Sequence, residues 1–138
     1  KIALAVIIAT LTISPYALAQ NEIPQQCLAG WTTTDTPSKR TELNSGAAFL
    51  DLRSKTILTR HGPAAYDSPP RDLSQYPISL PITVEQANSS AIAFSFVRRD
   101  NGIPIQGSMV KMPSGQWQIT LVPQKEGWSA ATGICSTG

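Results

Sequence analysis

From residue 82 onward, apolar and polar positions alternate with the two-residue period of half-buried strands. Ile82-Thr83-Val84 opens the series, and residues 91–99 place Ile92, Phe94 and Phe96 on one face. Ile103, Ile105 and then residues 109–112 make a return strand. Residues 116–122 set Trp117, Ile119 and Leu121 against Gln116, Gln118 and Thr120. The interruptions are turn formers: Asp100-Asn101-Gly102, Pro113-Ser114-Gly115 and residues 123–127. Asn-Gly between apolar runs predicts a type I′ hairpin, whose two central residues both need positive φ. Gly107, inside the return strand, reads as a β-bulge. A final strand over residues 128–134 delivers Cys135.

Upstream the pattern is weaker. A short strand is expected over residues 28–34, anchored by Leu28 and Trp31 and followed by an irregular polar loop. Residues 47–60 admit two readings. In one they form a hairpin turning at Ser54-Lys55. In the other they form a helix capped by Asn44 or Ser45, with Phe49, Leu52 and Thr56 on one face. The β-branched content of the second half favours the hairpin. Residues 61–81 contain Pro63, Pro69, Pro70, Pro77 and Pro81. Each lacks an N–H donor and has a fixed φ, so neither a helix nor a central strand is expected there. This segment reads as a long connection over the surface. The whole predicts an all-β domain over residues 20–138: a small antiparallel β-sandwich or open barrel of about six to eight strands.

Residues 1–19 read as a secretory signal peptide. Lys1 is the positive start, residues 2–13 are apolar, Ser14-Pro15 breaks the run, and Ala17-Leu18-Ala19 forms the cleavage site. The run is too short to span a bilayer. The expected product begins at Gln20, carries no stable membrane span and is secreted or periplasmic. In that oxidising setting Cys27 and Cys135, the only cysteines, are expected to pair and tie the chain ends together. Trp31 and Trp128, close in sequence to the cysteines, are expected over the bridge, with Trp117 in the core.

A net charge of +2 over 138 residues excludes a strongly basic nucleic-acid footprint and an acidic tail. Fourteen per cent charged residues and eleven prolines argue against a helical bundle.

Few residues offer chemistry. Arg60-His61-Gly62 resembles the R-H-G of the histidine phosphatase superfamily, in which a strand delivers a histidine that attacks phosphorus. The resemblance implies His61 as a nucleophile. That family needs a second histidine late in the chain, and this sequence has one in total. Met109, Met112 and His61 make a soft-ligand set for copper(I). The carboxylates Asp51, Asp67, Asp72, Glu85 and Asp100 are scattered, and no phosphate-cradling glycine loop occurs.

The expectation is therefore a non-catalytic binding or docking module. It would be monomeric and need no cofactor or metal, and its partner would be an unidentified protein or small ligand. Recognition is expected in the proline-rich connection, through His61, Tyr66 and Tyr76. The alternatives are a structural subunit of a surface fibre or envelope assembly, an enzyme using His61, or a copper-binding protein.

Overall fold

A computed structural model of the chain describes residues 23–33 and 45–136. The expected signal peptide and cleavage site lie outside the described residues.

Strand β1 (Gln26–Thr33) pairs antiparallel with β2 (Ser45–Asp51) on one side and with β9 (Ala131–Ile134) on the other. From β2 the sheet continues through β3 (Thr56–His61) to β4 (Ile78–Pro81). From β9 it continues through β8 (Trp117–Pro123), β7 (Pro104–Lys111) and β6 (Ala91–Val97) to β5 (Thr83–Ala87). All nine strands belong to one antiparallel sheet with β4 and β5 at its edges.

Those edges are consecutive in sequence, separated by Ile82 alone. Direction reverses at every pairing, so β4 and β5 point the same way. They are two halves of one extended stretch, the first lying on β3 and the second on β6. The sheet thus curls into a nearly closed barrel with eight strand positions. An even number is what all-antiparallel closure needs, because neighbours must alternate in direction around the ring. At the seam Arg99 Nη2 donates to the backbone carbonyl of Ser79 on β4 at 2.8 Å.

Alternate residues point inward. Leu50, Ile57, Ile92, Phe94, Met109 and Ile119 are the large fully buried side chains of the interior. Each contributes roughly 1.5–3 kcal/mol relative to exposure. Cys27 on the first strand and Cys135, just past the end of the last, are disulfide-bonded, and the Cys135 N–H donates to the Trp117 carbonyl. Trp117 is buried in the core as expected. Trp31 and Trp128 do not cover the bridge: they lie toward the opposite end of the barrel, where β1 ends and β9 begins.

Two local expectations are corrected. Gly107 is no bulge, since β6 and β7 stay in register through it, with Gly107 opposite Phe94. A Cβ at that position would lie 2.3 Å from the Phe94 ring, so glycine is there to let the ring lie across β7. The register shift falls between Val84 and Gln86 instead. The β6–β7 connection is also wider than a type I′ turn. Only Gly102 in it has positive φ (71°), and the loop is closed by Arg98 N–H to the Ile103 carbonyl. Asn101 Oδ1 accepts from the Ile103 N–H at 3.0 Å, the side-chain turn that asparagine offers in place of the backbone one.

The proline-rich connection holds more regular structure than its composition predicts. Pro63 begins a one-turn helix, α1 (Pro63–Asp67), at the position where a missing N–H costs nothing. The helix stops before Pro69-Pro70, as the residue preceding proline disfavours helical backbone. A 3-10 turn (Leu73–Gln75) and strand β4 follow. The segment lies on the outer face of β1–β3. There Ala65 and Tyr76 pack with Leu28 and Ala47, beside Phe49 and Leu58. Residues 45–61 form the expected hairpin, its turn placing Lys55 at φ 57° and hydrogen-bonding Asp51 Oδ1 to two backbone N–H groups.

Candidate functional site

The alternation of strand directions brings Thr33, His61, Ile78, Phe96, Ile105, Pro123 and Ala131 to one end of the barrel. Here the interior opens into a cavity of about 300 Å³. Its wall is apolar: Trp31, Ile78, Leu80, Phe96, Ile105 and Leu121 face it. Hydroxyls come from Thr33, Thr59 and Ser129, and the rim consists of His61 and the charged Arg98, Arg99 and Asp100. Barrel mouths lined this way, with few polar groups, are a common setting for small-molecule sites.

Each wall residue follows from the strand pattern. On β6 the inward series Ile92, Phe94, Phe96 continues past the strand end to Arg98, which carries its guanidinium over the opening. Arg98 holds Asp100 through two hydrogen bonds, Nη2–Oδ2 at 2.7 Å and Nε–Oδ1 at 3.1 Å. This pairing holds the Asp100 carboxyl below its ordinary pKa of 3.8. Arg98 also lies over the Trp128 ring, 5.6 Å from its centroid, and Lys125 approaches the same ring at 5.5 Å. Cations over an indole face are attracted by its quadrupole, so the loops after β6 and β8 are tied together at the rim.

His61 ends β3, and its ring meets that of Trp31 edge to face, with centroids 5.6 Å apart. Partial burial lowers the imidazole pKa below 6.5, and the Arg98 charge lowers it further; Asp100 opposes both. The Trp31 indole is buried, and its N–H has no hydrogen-bond partner among the described residues. It packs against Gly46, its partner on β2, where a Cβ would come within 2.8 Å of Trp31 Cζ2. Glycine there gives the indole its room.

The three residues expected in one binding loop are dispersed. His61 lines the mouth. Tyr76 is an anchor, 6% exposed, donating its hydroxyl to the Pro70 carbonyl at 2.7 Å. Burial raises its pKa above 10.0, and the charge of Arg60 offsets part of that rise. Tyr66 is 43% exposed on the outer face, beside an open groove bordered by Thr32, Asp67, Arg71 and Ile134.

His61 and Met112 stand at opposite ends of the barrel, because β7 runs away from the mouth before reaching Met112. The described residues contain no group of three or more His, Cys, Asp or Glu side chains able to hold a metal. No helix among them is long and apolar enough to cross a membrane. The missed feature, the hollow mouth, had one sequence signal: Thr33, Ala131 and Gly46 are small residues at inward positions of three neighbouring strands.

Compared with known proteins, the chain matches no family model, no curated protein and no solved structure.

Proposed function

We propose that this chain is an exported, non-catalytic binding protein that holds a small, largely apolar ligand in the mouth of its barrel. One observation carries the reading: a cavity of about 300 Å³ whose wall is built from inward-facing apolar side chains of several strands. Its size lies at the lower end of ordinary ligand pockets, roughly 300–1,000 Å³. The bridge between Cys27 and Cys135 suits an oxidising compartment, which supports the export reading of residues 1–19.

The test uses naphthalene, a ten-carbon neutral probe, titrated into the protein by NMR. Saturable binding at one site is expected, with amide shifts concentrated at Phe96, Ile105 and Ala131. Ala131→Leu projects three further carbons from the β9 wall and should abolish binding while raising thermal stability. Shifts confined to the Tyr66 groove, or binding unaffected by Ala131→Leu, would refute the reading. Intact mass of the exported protein tests processing: it should begin at Gln20.

A further inference from the structure

The rim carries charge that the cavity wall does not need. Arg98 and Asp100 neutralise one another through their paired hydrogen bonds. Arg99 is different: the partner described for it is the uncharged Ser79 carbonyl, and no carboxylate lies within ion-pair distance of it among the described residues. Lys125 adds a second cation on the neighbouring loop, over Trp128. Lys125 lies outside the lining and is followed by Glu126, so the excess rests on the lining itself, where Arg98, Arg99 and Asp100 leave one positive charge, that of Arg99. His61 stands on the same rim with a ring that can donate a hydrogen bond.

Resting on the reading of the mouth as a small-molecule site, we infer that its ligand is a small amphipathic anion, with its hydrocarbon part in the cavity and its acid group at the rim against Arg99 and His61. The volume sets the length. A cavity of about 150 Å³ accommodates benzene, so twice that volume takes roughly a dozen non-hydrogen atoms. A straight ten-carbon carboxylate is of that size. The opposite orientation would strip water from the acid group and leave it among Phe96, Ile105 and Leu121, which donate nothing. The carboxylate stays where water and a guanidinium both reach it.

The experiment compares decanoate, 1-decanol and decyltrimethylammonium by calorimetry on the intact disulfide-bonded protein. Decanoate should bind about ten-fold tighter than decanol, the size expected of one charge-assisted contact, and the cationic amphiphile weakest. Raising salt should narrow the gap, since the rim is open to solvent. Arg99→Gln removes the charge and ends two bonds short of the Ser79 carbonyl, so its melting temperature is measured alongside; with the fold intact it should bring decanoate to the affinity of decanol, and Arg99→Lys should restore most of the difference.

The lone imidazole gives an independent readout. The groups facing it among the described residues are Arg98, Asp100 and Arg99, and an added anion favours its charged form. Its NMR titration should move to higher pH with decanoate and stay in place with decanol. Equal binding of decanoate and decanol, with no His61 shift, would overturn the anionic class while leaving the small-molecule site standing. Failure of all three amphiphiles and of naphthalene would overturn both. Capture by anionic vesicles without binding of monomeric decanoate would also overturn it, by making the rim a membrane contact.

Discussion

Replacing Cys27 and Cys135 together by alanine tests how much of the barrel's stability comes from joining its ends. The two residues are 108 apart in sequence, so the bridge closes nearly all of the folded chain into one loop. Freeing a loop of that length gives the unfolded chain entropy worth about 4.7 kcal/mol at 25 °C. The folded state changes little by comparison. β1 and β9 remain paired through Trp31, Thr32 and Thr33, and Leu28 and Ser136 exchange backbone hydrogen bonds beside the bridge. Removing two buried sulfur atoms adds a packing loss of about 1 kcal/mol. The expected destabilisation is therefore about 5–6 kcal/mol, a large part of the roughly 5–15 kcal/mol typical of a domain. Urea unfolding followed by tryptophan fluorescence measures it. The slope against urea should also rise, because an uncrosslinked chain exposes more surface when unfolded. A loss below about 2 kcal/mol with an unchanged slope would refute the loop-closure argument. Binding at the mouth by the remaining folded protein should be unaffected, since the bridge sits at the other end.

Tyr76→Phe should cost about 1 kcal/mol through loss of the hydroxyl's bond to Pro70, whereas Tyr66→Ala, on a half-exposed ring, should cost less than about 0.5 kcal/mol; chemical denaturation separates them. Gly107→Val should destabilise by about 3 kcal/mol or prevent folding, because the added carbons enter the Phe94 ring; an unchanged melting temperature would contradict the packing described. The unfolded chain protonates His61 near pH 6.5 and the folded chain only at lower pH. Stability from this residue is thus complete above pH 6.5 and declines as pH falls below it. His61→Gln should flatten stability against pH in that interval, and an unchanged slope would refute the assignment.

Much of the barrel was legible where only one face of a strand is buried. β6, β7 and β8 each set a core face against a solvent face, and their alternation appears directly in the sequence. The region around β2 was ambiguous for a physical reason. Its inner face meets the barrel interior, while Ala47 on its outer face is buried under the segment carrying α1 and Tyr76. With both faces covered, the two-residue period fades and a helix reads almost as well. β4 was hidden by prolines, yet Pro81 lies at the end of an edge strand, where a missing N–H is tolerated. The disulfide was legible because only two cysteines exist. The mouth was not, since its residues come from strands far apart in sequence, and only their small size marks them.

That pattern of small residues explains why one end of the barrel is hollow. With eight strand positions the interior is just wide enough for side chains to fill it. At the closed end they do: Leu50, Ile57, Ile92 and Met109 are buried together with the bridged cysteines. At the mouth, β1, β2 and β9 contribute Thr33, Gly46 and Ala131 at inward positions. Gly46 is spent on seating the Trp31 indole, which keeps the ring against the wall. Strands β6, β7 and β8 supply Phe96, Ile105 and Leu121, which line the open hollow and so lack protein atoms to pack against on that side. A leucine in place of Ala131 would supply such contacts, so the small residue leaves stability unused. A ligand that fills the space restores those contacts and stabilises the folded barrel in proportion to its occupancy. On the proposed reading the hollow and the cationic rim act together: the apolar part of a ligand would complete the core, and Arg99 would select for an acid group at the rim.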